Sequence, residues 1–69
     1  MGYCIKIKAY YRWECTYFVQ GANVETAINK AYEMFKDTVS CNCPDTLEDA
    51  RKDTSIDIDV IAVIETIIL

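Results

Sequence analysis

Tyr3-Cys4-Ile5-Lys6-Ile7-Lys8-Ala9-Tyr10-Tyr11-Arg12-Trp13-Glu14-Cys15-Thr16-Tyr17-Phe18-Val19 is the stretch that decides the fold. Its odd positions are all apolar or aromatic, whereas the even ones include Lys6, Lys8, Arg12, Glu14 and Thr16. A period of two marks a half-buried β-strand. As a single strand the segment would reach about 55 Å at ~3.3 Å per residue, several times the ordinary length, so it must fold back on itself. Keeping every odd side chain on one face requires a loop with an odd number of residues, which Tyr10 to Arg12 supplies. The resulting hairpin sets Ile7 against Cys15 and Lys8 against Glu14, and on the polar face Lys6 against Thr16 and Cys4 against Phe18. No Asn-Gly pair marks the turn.

Beyond the hairpin, Gly21 ends the second strand and Asn23 can cap a helix by accepting an orphan amide hydrogen, with Glu25 suited to its positive end. Val24, Ala27, Ile28, Ala31, Met34 and Phe35 recur at helical spacing, which predicts an amphipathic helix ending near Thr38 or Val39. The pattern breaks from Ser40 to Ser55, where Cys41-Asn42-Cys43-Pro44 reads as a turn and Thr46 to Lys52 as a short helical turn. A third strand follows, in which Ile56, Ile58, Val60, Ala62 and Ile64 alternate at first with Asp57 and Asp59. From Val60 onward Ile61, Val63 and Ile67 make the second face apolar as well.

The order β-β-α-β predicts one α+β domain over residues 1–69: a three-stranded, mainly antiparallel sheet in order 2-1-3 with one helix packed on one face. Its expected core is Ile5, Ile7, Trp13, Cys15, Tyr17, Ile28, Ala31, Phe35, Ile58 and Val60. A chain of 69 residues buries only about 60% of its unfolded surface, so this core is thin. The apolar second face of the third strand, Ile61, Val63 and Ile67 together with Phe18, predicts self-association as a homodimer.

No basic segment leads into an apolar run at the start, and no apolar run approaches the ~20 residues of a membrane helix, so the expected location is the bacterial host cytoplasm. Net charge of −4 without histidine disfavours direct contact with nucleic-acid phosphates and favours a basic protein surface as partner.

Neither a catalytic constellation nor a cofactor site is expected: there is no histidine, and Gly2 and Gly21 cannot form a phosphate-cradling loop. Nor is a metal expected from the four cysteines, Cys4, Cys15, Cys41 and Cys43: zinc sites usually take paired ligands two to four residues apart, whereas Cys4 and Cys15 differ in parity and should leave opposite faces of the hairpin. Two patterns remain for binding. Asp45, Glu48, Asp49, Asp53, Asp57 and Asp59 form an acidic segment, without the glycine-centred spacing of a calcium loop, that suits a basic surface on a larger protein or ribonucleoprotein. The competing set is Lys6, Lys8, Tyr10 and Arg12 on the open sheet face, a combination able to stack on and pair with RNA.

Phe18-Val19-Gln20-Gly21-Ala22-Asn23-Val24-Glu25-Thr26-Ala27-Ile28-Asn29-Lys30-Ala31 resembles the strand-to-helix junction of small phage and plasmid accessory proteins, among them DpnD/PcfM-like proteins, and is similar to that of HicB-type antitoxins. The Asp-Phe-Pro-Gly strand motif of HicB antitoxins is absent, so no functional residue is carried over. Compact acidic proteins of this general kind include anti-CRISPR inhibitors. The resemblance therefore implies inhibition of a host defence complex by covering part of its surface.

Overall fold

A computed structural model describes residues 1–39 and 42–65. The chain runs β1 (Gly2–Ala9), β2 (Trp13–Gln20), α1 (Val24–Thr38), α2 (Leu47–Lys52) and β3 (Ile56–Ile64). The strands make one open antiparallel sheet in order β2-β1-β3, and α1 packs on one face of it, an α+β arrangement. Tyr10 to Arg12 form the hairpin loop, and the pairs Ile7–Cys15, Lys8–Glu14, Lys6–Thr16 and Cys4–Phe18 stand in the expected register.

At the start of α1 the Asn23 side chain accepts the Thr26 amide at 2.9 Å. The buried stripe of this helix is Ala27, Ile28, Ala31, Tyr32 and Phe35, while Val24 and Met34, expected to face the sheet, are exposed. Tyr32 takes their place because its hydroxyl finds a partner in depth: it donates to the Pro44 carbonyl of the following loop. Thr46 caps α2 by accepting the Asp49 amide at 3.2 Å, and Leu47 and Ala50 turn into the core.

Of the expected core, Ile5, Ile7, Ile28, Ala31 and Phe35 are buried, and Tyr3, Ala9, Val19, Ala27, Tyr32, Val39, Leu47, Ala50 and Ile56 join them. Trp13, Cys15 and Tyr17 are only partly buried because β2 is an edge strand, and so is Ile58 on the opposite edge. Val60 is 37% exposed. It still stands opposite Ile5 on the helix side, but on an outer strand of the sheet, and just beyond it the pairing with β1 slips between Cys4 and Ile5: Ala62 stands opposite Cys4, leaving Ile61 as an extra residue. Such a bulge reverses the parity of everything after it. Val63 consequently pairs with Tyr3 on the helix side, whereas Ala62 and Ile64 join Cys4 and Phe18 on the open face. The self-association set placed Val63 beside Phe18, and the bulge corrects that. Ile67 and Cys41 lie outside the described residues.

Candidate interaction surface

The hairpin turn is built against local preference. Arg12 N–H donates to the Ala9 carbonyl at 3.1 Å, and both central residues, Tyr10 and Tyr11, sit at positive φ of 55° and 56°. Positive φ at both positions is the signature of a type I′ turn, which ordinarily selects Asn-Gly, and each bulky residue held there costs about 1–2 kcal/mol. Contacts from a distant part of the chain hold it. The Tyr10 amide donates to the Ser55 carbonyl at 2.8 Å, and its hydroxyl donates to Asp53 Oδ2 at 3.0 Å. The Tyr10 ring also meets Trp13 edge to face, with centroids 6.4 Å apart. Burial, then the Asp53 carboxylate, push the Tyr10 hydroxyl above the usual tyrosine range.

Because of this turn, Tyr10 packs against the core instead of joining Lys6 and Lys8 on the open face, as strand parity had suggested. Tyr11 is thrown fully into solvent. Arg12 lies over the Trp13 ring, its guanidinium carbon 5.1 Å from the centroid. A cleft of about 370 Å³ opens beside the turn, between Lys8, Tyr11, Arg12 and Trp13 on one side and Ser55 and Asp57 on the other.

The open sheet face divides in two. Near the hairpin, Lys6 and Lys8 each lie 3.5 Å from Glu14 Oε1 and stand in register with Asp59 and Asp57 of β3. At the far end the face is apolar, with the Phe18 ring resting over Gly2, where even a β-carbon would come within 2.4 Å of it. The missing β-carbon lets the ring lie over the strand, an aromatic ring covering a strand glycine; a larger residue there would push the ring aside.

Asp57 and Asp59 therefore emerge on the open face, while Asp45, Glu48 and Asp49 border α2 in the helical layer. Asp53 belongs to neither group: it caps α2 and accepts both the Tyr10 hydroxyl and the Ser55 amide, a structural anchor in the partly buried layer. The acidic segment is continuous in sequence and split in space. Spacing alone could not show this, since the split depends on where the α2 to β3 loop turns.

Each of the seven Lys and Arg side chains has an internal partner. Lys6 and Lys8 share Glu14, Arg12 covers Trp13, and Lys30 donates to the Gln20 carbonyl at 2.8 Å. Lys36 reaches Glu33 and the Asp45 carbonyl, Lys52 lies 3.8 Å from Glu48, and Arg51 grips Glu25 through two hydrogen bonds of 2.8 and 3.0 Å. That bidentate pair holds the Glu25 carboxyl below the usual glutamate range. By contrast Asp37, Asp45, Asp49, Asp57, Asp59 and Glu65 enter no ion pair among the described residues. The uncompensated charge of the surface is negative.

No family model, curated protein or solved structure matches this chain. Among the described residues no three His, Cys, Asp or Glu side chains are grouped so as to hold a metal ion, and no helix is long and apolar enough to cross a membrane.

Proposed function

We propose that this chain is a non-catalytic binding protein of the phage or plasmid accessory kind, which inhibits a larger host protein or ribonucleoprotein complex by covering a basic surface on it. One observation carries the reading: every Lys and Arg is engaged within the molecule, while seven carboxylates, Asp53 among them, are left without an ionic partner among the described residues. A surface of that sign steers toward, and selects, a basic partner. Contact is made by Asp57 and Asp59 on the open face, with the hairpin tip beside them supplying Tyr11, Arg12 and Trp13, residue types that dominate binding energy at interfaces. RNA recognition by the Lys6, Lys8 and Arg12 face is disfavoured by the same geometry, because Glu14 already answers both lysines and would repel a phosphate.

Affinity capture from bacterial lysate, with and without nuclease, tests this. A nucleic-acid-binding host complex should be retained after nuclease treatment, lost at high salt, and lost with Asp57→Lys/Asp59→Lys but kept with Asp45→Lys/Asp49→Lys. Recovery of RNA alone, or capture abolished by nuclease, would defeat the proposal.

A further inference from the structure

We infer that Tyr11 and Asp57, which line the cleft beside the hairpin tip, clasp an arginine side chain of the partner, and that lysine fits there less well. The inference rests on the basic partner proposed above and names which of its side chains the cleft takes. It starts from an imbalance within the turn. Tyr10 and Tyr11 share one left-handed conformation, but at Tyr10 the cost is offset by the Ser55 carbonyl, the Asp53 carboxylate and the Trp13 ring. Tyr11 is 103% exposed, so its side chain buries nothing against its own fold. The position it holds, the second central residue of a type I′ turn, is one that glycine or asparagine fills at lower cost. Nothing inside the molecule accounts for a tyrosine there, and backbone strain of this kind collects where proteins grip ligands.

The cleft of about 370 Å³ is lined by two cations and two carboxylates, Lys8, Arg12, Glu14 and Asp57. Three of them are engaged: Lys8 lies 3.5 Å from Glu14, and Arg12 covers the Trp13 ring. The Asp57 carboxylate is the one lining charge without an ion pair or ring contact among the described residues, and Asp59, two residues along the same face, is also unpaired. The charge left to be met is negative, so the occupant is a cation. A free aromatic ring beside a free carboxylate then separates the two basic side chains. Guanidinium is flat and weakly hydrated, stacks on an aromatic face and offers a carboxylate a fork of N–H donors, whereas the lysine ammonium is a compact, strongly hydrated point charge. The protein pairs its own groups in both ways: Arg12 lies over Trp13, and Arg51 takes Glu25 with two hydrogen bonds.

The test titrates the full chain, at low ionic strength, with acetyl-hexaarginine amide and with acetyl-hexalysine amide, which carry equal charge. Trp13 is the only tryptophan of the chain and lines the cleft, so its fluorescence reports occupancy there. Hexaarginine should bind about tenfold more tightly than hexalysine. Tyr11→Asn should bring hexaarginine down to the hexalysine level while raising the melting temperature, because asparagine suits the left-handed turn. Tyr11→Phe should keep the preference, and Asp57→Asn should weaken hexaarginine the more of the two. Equal affinity for the two peptides, a preference that survives Tyr11→Asn, or a lower melting temperature for Tyr11→Asn would each overturn the inference and leave the basic-partner proposal standing. Failure of both peptides to bind would overturn the two together.

Discussion

β2 and β3 are the two outer strands of one sheet and share the same neighbour, β1, yet they are built to opposite rules. β2 alternates in burial from Trp13 to Gln20, with Glu14, Thr16, Phe18 and Gln20 turned outward and its inner face against α1. β3 keeps that discipline only as far as Asp59, then passes through a bulge into an uncharged run that no helix of the described chain covers. A strict period of two yields an edge that is finished as a monomer. Losing the period leaves an edge whose two faces are both apolar, and the chain there resembles the middle of a sheet more than its margin.

Truncations on either side of that divide should differ most. Ile7, fully buried at the centre of β1 and paired to both Cys15 and Ile58, should cost about 2–5 kcal/mol on substitution by Ala. Val63→Ala should cost less than about 1 kcal/mol in dilute solution, since half of the side chain already meets water. Urea denaturation of both variants makes the comparison. Equal losses would mean that the end of β3 is covered even in the monomer.

A smaller effect separates the two attachments of the hairpin. Tyr10→Phe removes only the hydroxyl that ties the turn to Asp53, and should destabilise by about 1–2 kcal/mol, with faster amide exchange at the start of β3 but not along β2. On the other edge Tyr17 Oη is buried without a hydrogen-bond partner. Burial is the main force raising its pKa. Tyr17→Phe should therefore be neutral or raise stability by up to about 1 kcal/mol, read as a shift in melting temperature. A clear loss would show that the hydroxyl is satisfied in solution.

The smallest effect is expected where α1 and α2 are pinned together. Arg51 depresses the Glu25 pKa, so the folded state holds its proton less tightly than the unfolded state, and the stabilisation is present above the usual glutamate range and lost as pH falls through the folded value. The melting-temperature difference between the parent chain and Glu25→Gln should shrink as pH drops from neutral to acid. A difference that does not change with pH would assign the role of Glu25 to packing.

The hairpin, its loop, its register and the Asn23 cap were legible in the sequence because each rests on local parity or on one capping side chain. The bulge was not. Val60-Ile61-Ala62-Val63-Ile64 is apolar at every position, so no polar residue marks which face each belongs to, and only pairing with β1 breaks the tie. Tyr10 was misplaced for a related reason: a left-handed turn without Gly or Asn leaves no local sign, and its cause lies at Asp53 and Ser55. The candidate surface shared that fate. Its acidic residues were found, but their division between two layers, and the engagement of all seven cations, follow from contacts between segments far apart in the chain.

The turn at Tyr10 and Tyr11 also bears on the order in which the protein can assemble. Local conformational preference opposes it, and the groups that hold it, the Ser55 carbonyl and the Asp53 carboxylate, lie 45 and 43 residues downstream of Tyr10. A nascent chain emerging from the ribosome has neither until most of its length has been made. The hairpin is thus the first pair of strands to be synthesised but not one that closes early by itself. Its closure awaits the arrival of β3, which raises the sequence separation of the decisive contacts and slows folding for so small a protein. Replacing Tyr10-Tyr11 with Asn-Gly would uncouple the two events, letting the hairpin form while the rest of the chain is still being made.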